Sequence, residues 1–145
     1  MTTTTERKVA RVTRRFDASA ERVFDAWLDP DRARNFFFAT PTGTMVRAEI
    51  DARVGGRFCF VDRRGSDDVE HVGEYVVIDR PRKLVFTFAV PQFSSEYTRV
   101  TIDIAPRGSG CELSLTHEGV LADFAERTAQ GWTMILDGCA AALAA

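Results

Sequence analysis

Apolar and polar residues alternate along most of the chain, and this period of two predicts a structure built mainly from β-strands. The stretch "KVARVTRRF" alternates from Lys8 to Phe16 and predicts the first strand. Six more alternating runs follow: "MVRAEID", "GGRFCFVD", "EHVGEYVVID", "KLVFTFAV", "YTRVTIDIA" and "CELSLTH". The separators between them, such as "RRGSDD" and "PRGSG", are short and rich in turn-forming residues. Because parallel neighbours need crossovers of about a dozen residues or more, these runs predict an antiparallel meander.

A helical period replaces the alternation directly after the first strand. Asp17 or Ser19 is suited to cap a helix there. One face of this helix carries Val23, Phe24 and Trp27. Pro30 disfavours a helical residue before it and ends the helix, while "PDRARNFFF" predicts a second short helix with Pro30 in its first turn.

The chain ends in a second helical pattern, which predicts an amphipathic helix over residues 121–143. Its apolar arc consists of Leu121, Phe124, Trp132, Ile135, Cys139 and Leu143. Gly131 and Gly138 lie near the edge of this arc, where each weakens the helix by about 1 kcal/mol relative to alanine. They indicate either a close backbone contact, which we favour, or empty space beside the sheet.

The order strand, two helices, six strands, long helix predicts an α+β fold in one domain spanning residues 1–145. An antiparallel sheet of six or seven strands is strongly twisted, so a single helix laid across it cannot contact every inward residue. The resulting gap is filled by aromatic side chains or by a ligand. Eleven phenylalanines, two tryptophans and two tyrosines permit either outcome.

Composition excludes several classes of partner. Nineteen basic and twenty-one acidic residues give a formal charge of -2, which offers no electrostatic footprint for nucleic acid and no polybasic patch for a membrane surface. We therefore expect no nucleic-acid partner and no membrane insertion. The N-terminal segment has no apolar run of the kind found in signal peptides, so we expect a soluble cytoplasmic protein. A homodimer is compatible with a domain of this size, but no interface is specified.

The reactive residue types are sparse. Three cysteines lie far apart among apolar neighbours and predict buried, reduced thiols. Two histidines without a clustered carboxylate or thiolate predict no metal site, and no phosphate-binding glycine loop is present. We therefore expect no cofactor.

The two histidines are the candidates for chemistry or ligand orientation. His117 and Glu118 are adjacent on a strand and should point to opposite faces, which argues against a catalytic dyad. A neutral, hydrogen-bonded core histidine is favoured over a proton-transfer group. His71 and Tyr75 share a face of their strand; the inward orientation is slightly favoured over the outward one, and Tyr97 is a third candidate polar group.

A resemblance to a known family is carried by five stretches: "RRFDASAERVFDAWLDPDRARNFF", "VGGRFCF", "HVGEYVVIDRPRKLVFTF", "ELSLTHEG" and "GWTMILDG". Together they resemble the family named after the C-terminal domain of the activator of the heat-shock protein 90 ATPase, within the START-like and birch-pollen-allergen (SRPBCC) superfamily. The resemblance implies a helix-grip fold, in which the sheet wraps around the C-terminal helix. The chain departs from it at "NFFF", where relatives commonly carry a tryptophan pair.

Three functions are compatible with this picture. The leading one is binding of a small hydrophobic or aromatic molecule between the sheet and the last helix. The alternatives are a cyclase- or dehydratase-like enzyme in the same cavity, and a co-chaperone-like domain that binds the chaperone, as the family resemblance implies. No catalytic residue is assigned. The predicted ligand-binding residues are Trp27, Phe58, Phe60, His71, Tyr75, Phe86, Phe88, Tyr97, His117, Trp132 and Ile135.

Overall fold

The computed structural model of the protein describes residues 6–40, 42–94 and 96–144. Its strands are β1 (Arg7–Phe16), β2 (Thr44–Ile50), β3 (Arg57–Arg64), β4 (Asp67–Asp79), β5 (Lys83–Phe88), β6 (Thr98–Arg107) and β7 (Gly110–Leu121). Its helices are α1 (Ala20–Leu28), α2 (Pro30–Ala33) and α3 (Ala125–Ala144), with a 3₁₀ turn at Ala122–Phe124. The predicted α+β helix-grip architecture is confirmed.

All seven strands form one antiparallel sheet in the order β1-β7-β6-β5-β4-β3-β2. Strands β2 to β6 each pair with the next strand along the chain, which confirms the predicted meander. β1 lies at the far edge beside β7, and α3 packs across the inner face against β1 and α1. In the described part of the chain, no helix combines the length and apolar character needed to cross a membrane.

The capping residues of the two helices after β1 determine where these helices begin and end. Ser19, rather than Asp17, caps α1, since its hydroxyl accepts a hydrogen bond from the backbone N–H of Arg22 at 3.2 Å. Asp29 then ends α1 and caps α2 by accepting from the N–H of Asp31 at 3.0 Å. Pro30 occupies the first turn of α2, where its missing N–H removes no helical hydrogen bond.

The junction between β7 and α3 differs from the prediction. β7 continues past His117 to Leu121, because residues 120 and 121 pair with Lys8 and Arg7 of β1. The helix predicted from residue 121 therefore begins at Ala125. This pairing satisfies backbone groups that a longer helix would have satisfied internally.

The buried face of α3 also differs from the predicted arc. It consists of Trp132, Leu136, Cys139 and Leu143. Leu136 was not predicted, and Ile135 is only half-buried beside it. Phe124 is 47% exposed, since it precedes the helix instead of belonging to its apolar face.

The two glycines of α3 have different surroundings, and each matches one of the two predicted roles. A Cβ atom at Gly138 would lie 3.1 Å from the Cβ atom of Phe36, so this glycine permits close packing of the α2 segment on α3. A Cβ atom at Gly131 would meet nothing within 4 Å. The preference for close packing is therefore correct at one position, while the other borders open space.

Candidate functional site

One half of the space between sheet and helices is solidly filled by aromatic side chains. Phe37, which follows α2, is 1% exposed and lies at the centre of this closed core. Its ring centroid lies between 5.0 and 5.7 Å from those of Trp27, Phe58, Phe60 and Phe86. Edge-to-face and tilted contacts of this kind pack aromatic rings tightly. These four predicted ligand-binding residues therefore line the protein core.

The other half contains a cavity of about 430 Å³ between the inner face of the sheet and α3. Its walls are mainly aromatic or apolar, and they include Phe38, His71, Phe88, His117, Trp132 and Ile135. Its polar margin contains Thr40, Arg64, Arg127 and Thr128. Gly131, which is exposed on α3, also borders the cavity.

Phe38 is a wall residue with an unusual backbone conformation. Its φ angle is 60°, in the left-handed region that side chains other than glycine rarely adopt. This conformation places the Phe38 ring nearly parallel to those of His71 and Phe88, at centroid distances of 4.3 and 4.7 Å. Backbone strain of this kind often occurs at binding sites, where surrounding contacts maintain it.

His117 takes part in a chain of hydrogen bonds at the inner wall. The indole N–H of Trp132 lies 3.0 Å from His117 Nδ1 and donates to it. His117 Nε2 lies 2.6 Å from the hydroxyl of Thr98, which in turn donates to the backbone carbonyl of Phe88 at 3.2 Å. Because Nδ1 accepts and the Thr98 proton goes to the carbonyl, Nε2 carries the ring proton.

This network makes His117 a structural histidine. Both ring nitrogens have protein partners, and burial lowers the pKa of His117 to about 4. Glu118 is exposed on the other face of β7, which confirms that the pair does not form a dyad. The ring therefore stays neutral at physiological pH and fixes the orientation of Trp132.

His71 is the second histidine of the cavity wall and is 5% exposed. Its Nδ1 lies 3.2 Å from the carbonyl oxygen of Phe60 and must donate to it, because a carbonyl only accepts. Burial lowers the pKa of His71 to about 4, partly opposed by the carbonyl oxygens of Phe60 and Val69. The inward orientation of His71 is confirmed.

Arg64 is held at the margin of the cavity by a buried carboxylate. Asp62 is 1% exposed, and its Oδ2 accepts from Arg64 Nε at 2.9 Å and from the Thr40 hydroxyl at 2.7 Å. Arg64 Nη2 also donates to the carbonyl of Phe38 at 3.3 Å. The same side chain thus borders the cavity and contacts the strained residue of its wall.

The structure brings together only part of the predicted site. The predicted residues that border the cavity are His71, Phe88, His117, Trp132 and Ile135. Tyr75 faces inward as predicted, but it lies among Phe58 and Phe86 and does not border the cavity. Burial raises the pKa of its hydroxyl, which has no hydrogen-bond partner among the described residues.

Tyr97 does not converge with the other polar candidates. It is 59% exposed, since β6 begins one residue later at Thr98. It borders a separate depression of about 680 Å³ on the outer face of the sheet, together with Glu49, Glu70 and Glu74. This larger depression has four charged side chains in its lining and lies on the face opposite the aromatic walls, so it suits an apolar ligand less well than the cavity does.

The prediction missed several residues that border the cavity, among them Phe38, Arg64 and Arg127. Phe38 belongs to the "NFFF" stretch, where the sequence alone does not distinguish a core residue from a cavity residue. Arg64 belonged to a predicted hairpin tip, yet its side chain folds back to Asp62. Arg127 lies on the exposed side of a helix pattern, and no sequence signal places it at a cavity mouth.

Other chemistry has little support in the described residues. The three cysteines are free, and burial raises the pKa of the Cys139 thiol to about 12. No cluster of histidine, cysteine, aspartate and glutamate suited to a metal ion occurs in residues 6–40, 42–94 and 96–144.

Solved structures of similar fold come from several bacteria. A protein from Chromobacterium violaceum is 25% identical, with a TM-score of 0.82 and coverage of 93% of this chain and 96% of that chain. An AHSA1-like protein from Aeromonas hydrophila is 22% identical, with a TM-score of 0.80 and coverage of 94% and 92%. A protein of unknown function from Staphylococcus aureus is 15% identical, with a TM-score of 0.85 and coverage of 95% and 94%. These likenesses establish the fold alone.

Sequence comparison establishes the family. No curated protein matches this chain significantly. Residues 17–144 match the family described as "Activator of Hsp90 ATPase homolog 1-like protein". This match covers nearly all of the described fold, from the residues before α1 to the end of α3. The chain therefore belongs to the AHSA1 family, as its sequence motifs predict.

Proposed function

We propose that the protein binds a small apolar or aromatic molecule in the cavity between the sheet and α3. The observation that carries this proposal is the contrast between a solid aromatic core and an adjoining space of about 430 Å³ with aromatic walls. Ligand pockets are typically concave, largely apolar and of this size. The shared fold agrees with this proposal, because proteins of this superfamily commonly enclose hydrophobic ligands.

The hydrogen bonds of the inner wall indicate a ligand that is apolar along most of its length. Trp132, His117 and Thr98 satisfy one another, and the ring N–H of His71 is taken by Phe60. Because no donor of this wall is free, a hydrogen-bond acceptor of the ligand placed against these side chains would lose its hydrogen bonds to water without gaining equivalent partners. The aromatic walls instead favour a flat, apolar guest.

The same wall supports binding rather than acid–base catalysis. No aspartate or glutamate is among the described residues that border the cavity. His117 is neutral, and both of its ring nitrogens are hydrogen-bonded within the protein. A histidine whose pKa lies near 4 is a weak base at neutral pH. The enzyme hypothesis therefore has no acid and base in reach of one substrate atom.

Chaperone binding remains a second proposal, favoured by exposed apolar side chains around the cavity mouth. Phe93, Phe124 and Met134 are 78%, 47% and 56% exposed. Phe93 borders both the cavity and a neighbouring depression that contains Phe124. Exposed apolar patches often mark interaction sites. Loss of measurable chaperone binding on Phe124→Ser, with the apolar cavity ligand still bound, would support this role, because Phe124 does not border the cavity.

Ligand binding can be tested with N-phenyl-1-naphthylamine, an uncharged aromatic fluorophore. We expect saturable binding with enhanced fluorescence and a ligand-dependent rise in melting temperature. Gly131→Leu should weaken binding strongly, because the added side chain enters the open space beside the cavity. Ala141→Leu, on an exposed position of the same helix, is the matched control and should bind normally. Equal binding by the two variants would contradict the proposed site.

A further inference from the structure

The charged side chains that border the cavity are all basic. Arg64 and Arg127 border it, while no described lining residue is an aspartate or glutamate. Both histidines of the wall are neutral at physiological pH. This local excess of positive charge contrasts with the formal charge of -2 for the whole chain. A cleft lined by one sign of charge attracts ligands of the opposite sign.

Arg127 supplies the uncompensated charge. It lies exposed on the first turns of α3, with its guanidinium carbon 5.7 Å from the centroid of the Phe124 ring. Within the described ranges, no carboxylate forms an ion pair with it. Its hydrogen-bond donors are therefore available to a molecule that enters the cavity.

Arg64 adds no net charge to the cavity mouth, but it can orient a ligand through a hydrogen bond. Its charge is matched by Asp62, and its Nε and Nη2 atoms already donate to Asp62 and Phe38. Among the described residues, Nη1 donates no hydrogen bond, so it can still donate to a ligand at the margin. Because Asp62 is buried, the Arg64 side chain is positioned before any ligand arrives.

The polarity of the cavity thus changes along its depth. The hydrogen-bond donors of the aromatic inner wall are already paired within the protein, whereas unpaired cationic donors are found at the mouth. We infer that the ligand is a flat aromatic acid, whose rings lie against the wall formed by Phe38, Phe88 and Trp132 and whose anionic group lies at the mouth beside Arg127 and Arg64. This inference rests on the proposed function and adds the chemical class of the ligand.

Two fluorophores that differ by one sulfonate test this inference. They are 8-anilinonaphthalene-1-sulfonate, which is anionic, and uncharged N-phenyl-1-naphthylamine. We expect Arg127→Gln to weaken binding of the sulfonate by roughly two- to fivefold, as for an exposed charge pair, and to leave binding of the uncharged probe unchanged. Raising the salt concentration should reduce the difference between the wild type and this variant.

Arg107→Gln is the matched control, since Arg107 lies at the opposite end of β6 from Thr98 and does not border the cavity. It should bind both probes as the wild type does. If both probes bind but Arg127→Gln affects neither, the acidic ligand class is wrong while the proposed function stands. If Gly131→Leu weakens the binding of neither probe, the proposed function fails as well.

Discussion

The two ends of the interior use the same residue types for different purposes. At one end, Phe37 is buried and contacts the rings of four other aromatic residues. At the other end, Phe88 is half-buried and faces a cavity. The segment after α2 serves both, because Phe37 fills the core while the neighbouring Phe38 forms a wall of the cavity. Aromatic content alone therefore does not distinguish a core from a binding site.

The largest expected effect comes from truncating one phenylalanine at each end. Phe37→Ala should lower the free energy of unfolding by about 3 to 5 kcal/mol, because it leaves a void in a closed core. Phe88→Ala should cost less, since its ring already borders open space. Chemical denaturation of both variants measures the difference. Equal losses would mean that the two ends are packed alike.

Acid should destabilise the protein through the cavity end. Each histidine has a pKa near 4 when folded and near 6.5 when unfolded, so the unfolded chain binds more protons between these values. Stability should therefore be constant above about pH 7 and decrease as the pH falls, by about 2 kcal/mol per histidine at pH 5. Denaturation at pH 7.5 and 5 measures this loss.

His117→Gln should remove about half of the acid-dependent loss, since His71 remains. The decisive quantity is the difference in stability between the two pH values, not the stability at either. A variant with the full wild-type dependence on pH would show that His117 does not titrate on unfolding as described.

Trp132→Phe isolates a single hydrogen bond of the cavity wall. It keeps an aromatic ring but removes the donor to His117 Nδ1, at an expected cost of about 1 to 2 kcal/mol. The pKa of His117 should rise, because the lost hydrogen bond can form only with the neutral ring. An NMR titration of the His117 ring protons tests this, and an unchanged pKa would contradict the assigned tautomer.

The smallest effect distinguishes the two glycines of α3. Gly131→Ala should stabilise the protein by up to about 1 kcal/mol, because alanine favours the helix and its Cβ meets no atom within 4 Å. Gly138→Ala is the matched comparison and should gain less or lose stability, since its Cβ would press on Phe36. Thermal denaturation ranks the two, and the reverse order would contradict the open space beside Gly131.

The fold was predictable because its determinants are local. The alternating runs and short turns specify an antiparallel meander, and Ser19, Asp29 and Pro30 mark the ends of α1 and α2. The end of β7 was not predictable in this way. Its last residues pair with Arg7 and Lys8, more than a hundred positions earlier in the chain. The local periodicity of the sequence does not reveal such a distant pairing.

The candidate site was predictable only in part, for a related reason. Inward alternation correctly placed His71 and His117 on the inner face. It did not indicate how deep each residue lies, so Tyr75 and the closed-core rings were grouped with the cavity wall. Arg127 was missed because a charged residue on a helix is usually solvated, and only the three-dimensional packing places it at a mouth.

The two tryptophan indole N–H groups report on the two ends of the interior and provide the most direct test. Trp27 lies in the closed core, and Trp132 borders the cavity. In a ¹⁵N-resolved NMR titration with N-phenyl-1-naphthylamine, we predict that the Trp132 indole signal shifts saturably while the Trp27 signal stays in place. A titration in which neither signal moves, or in which both move equally, would contradict an open cavity beside a closed core.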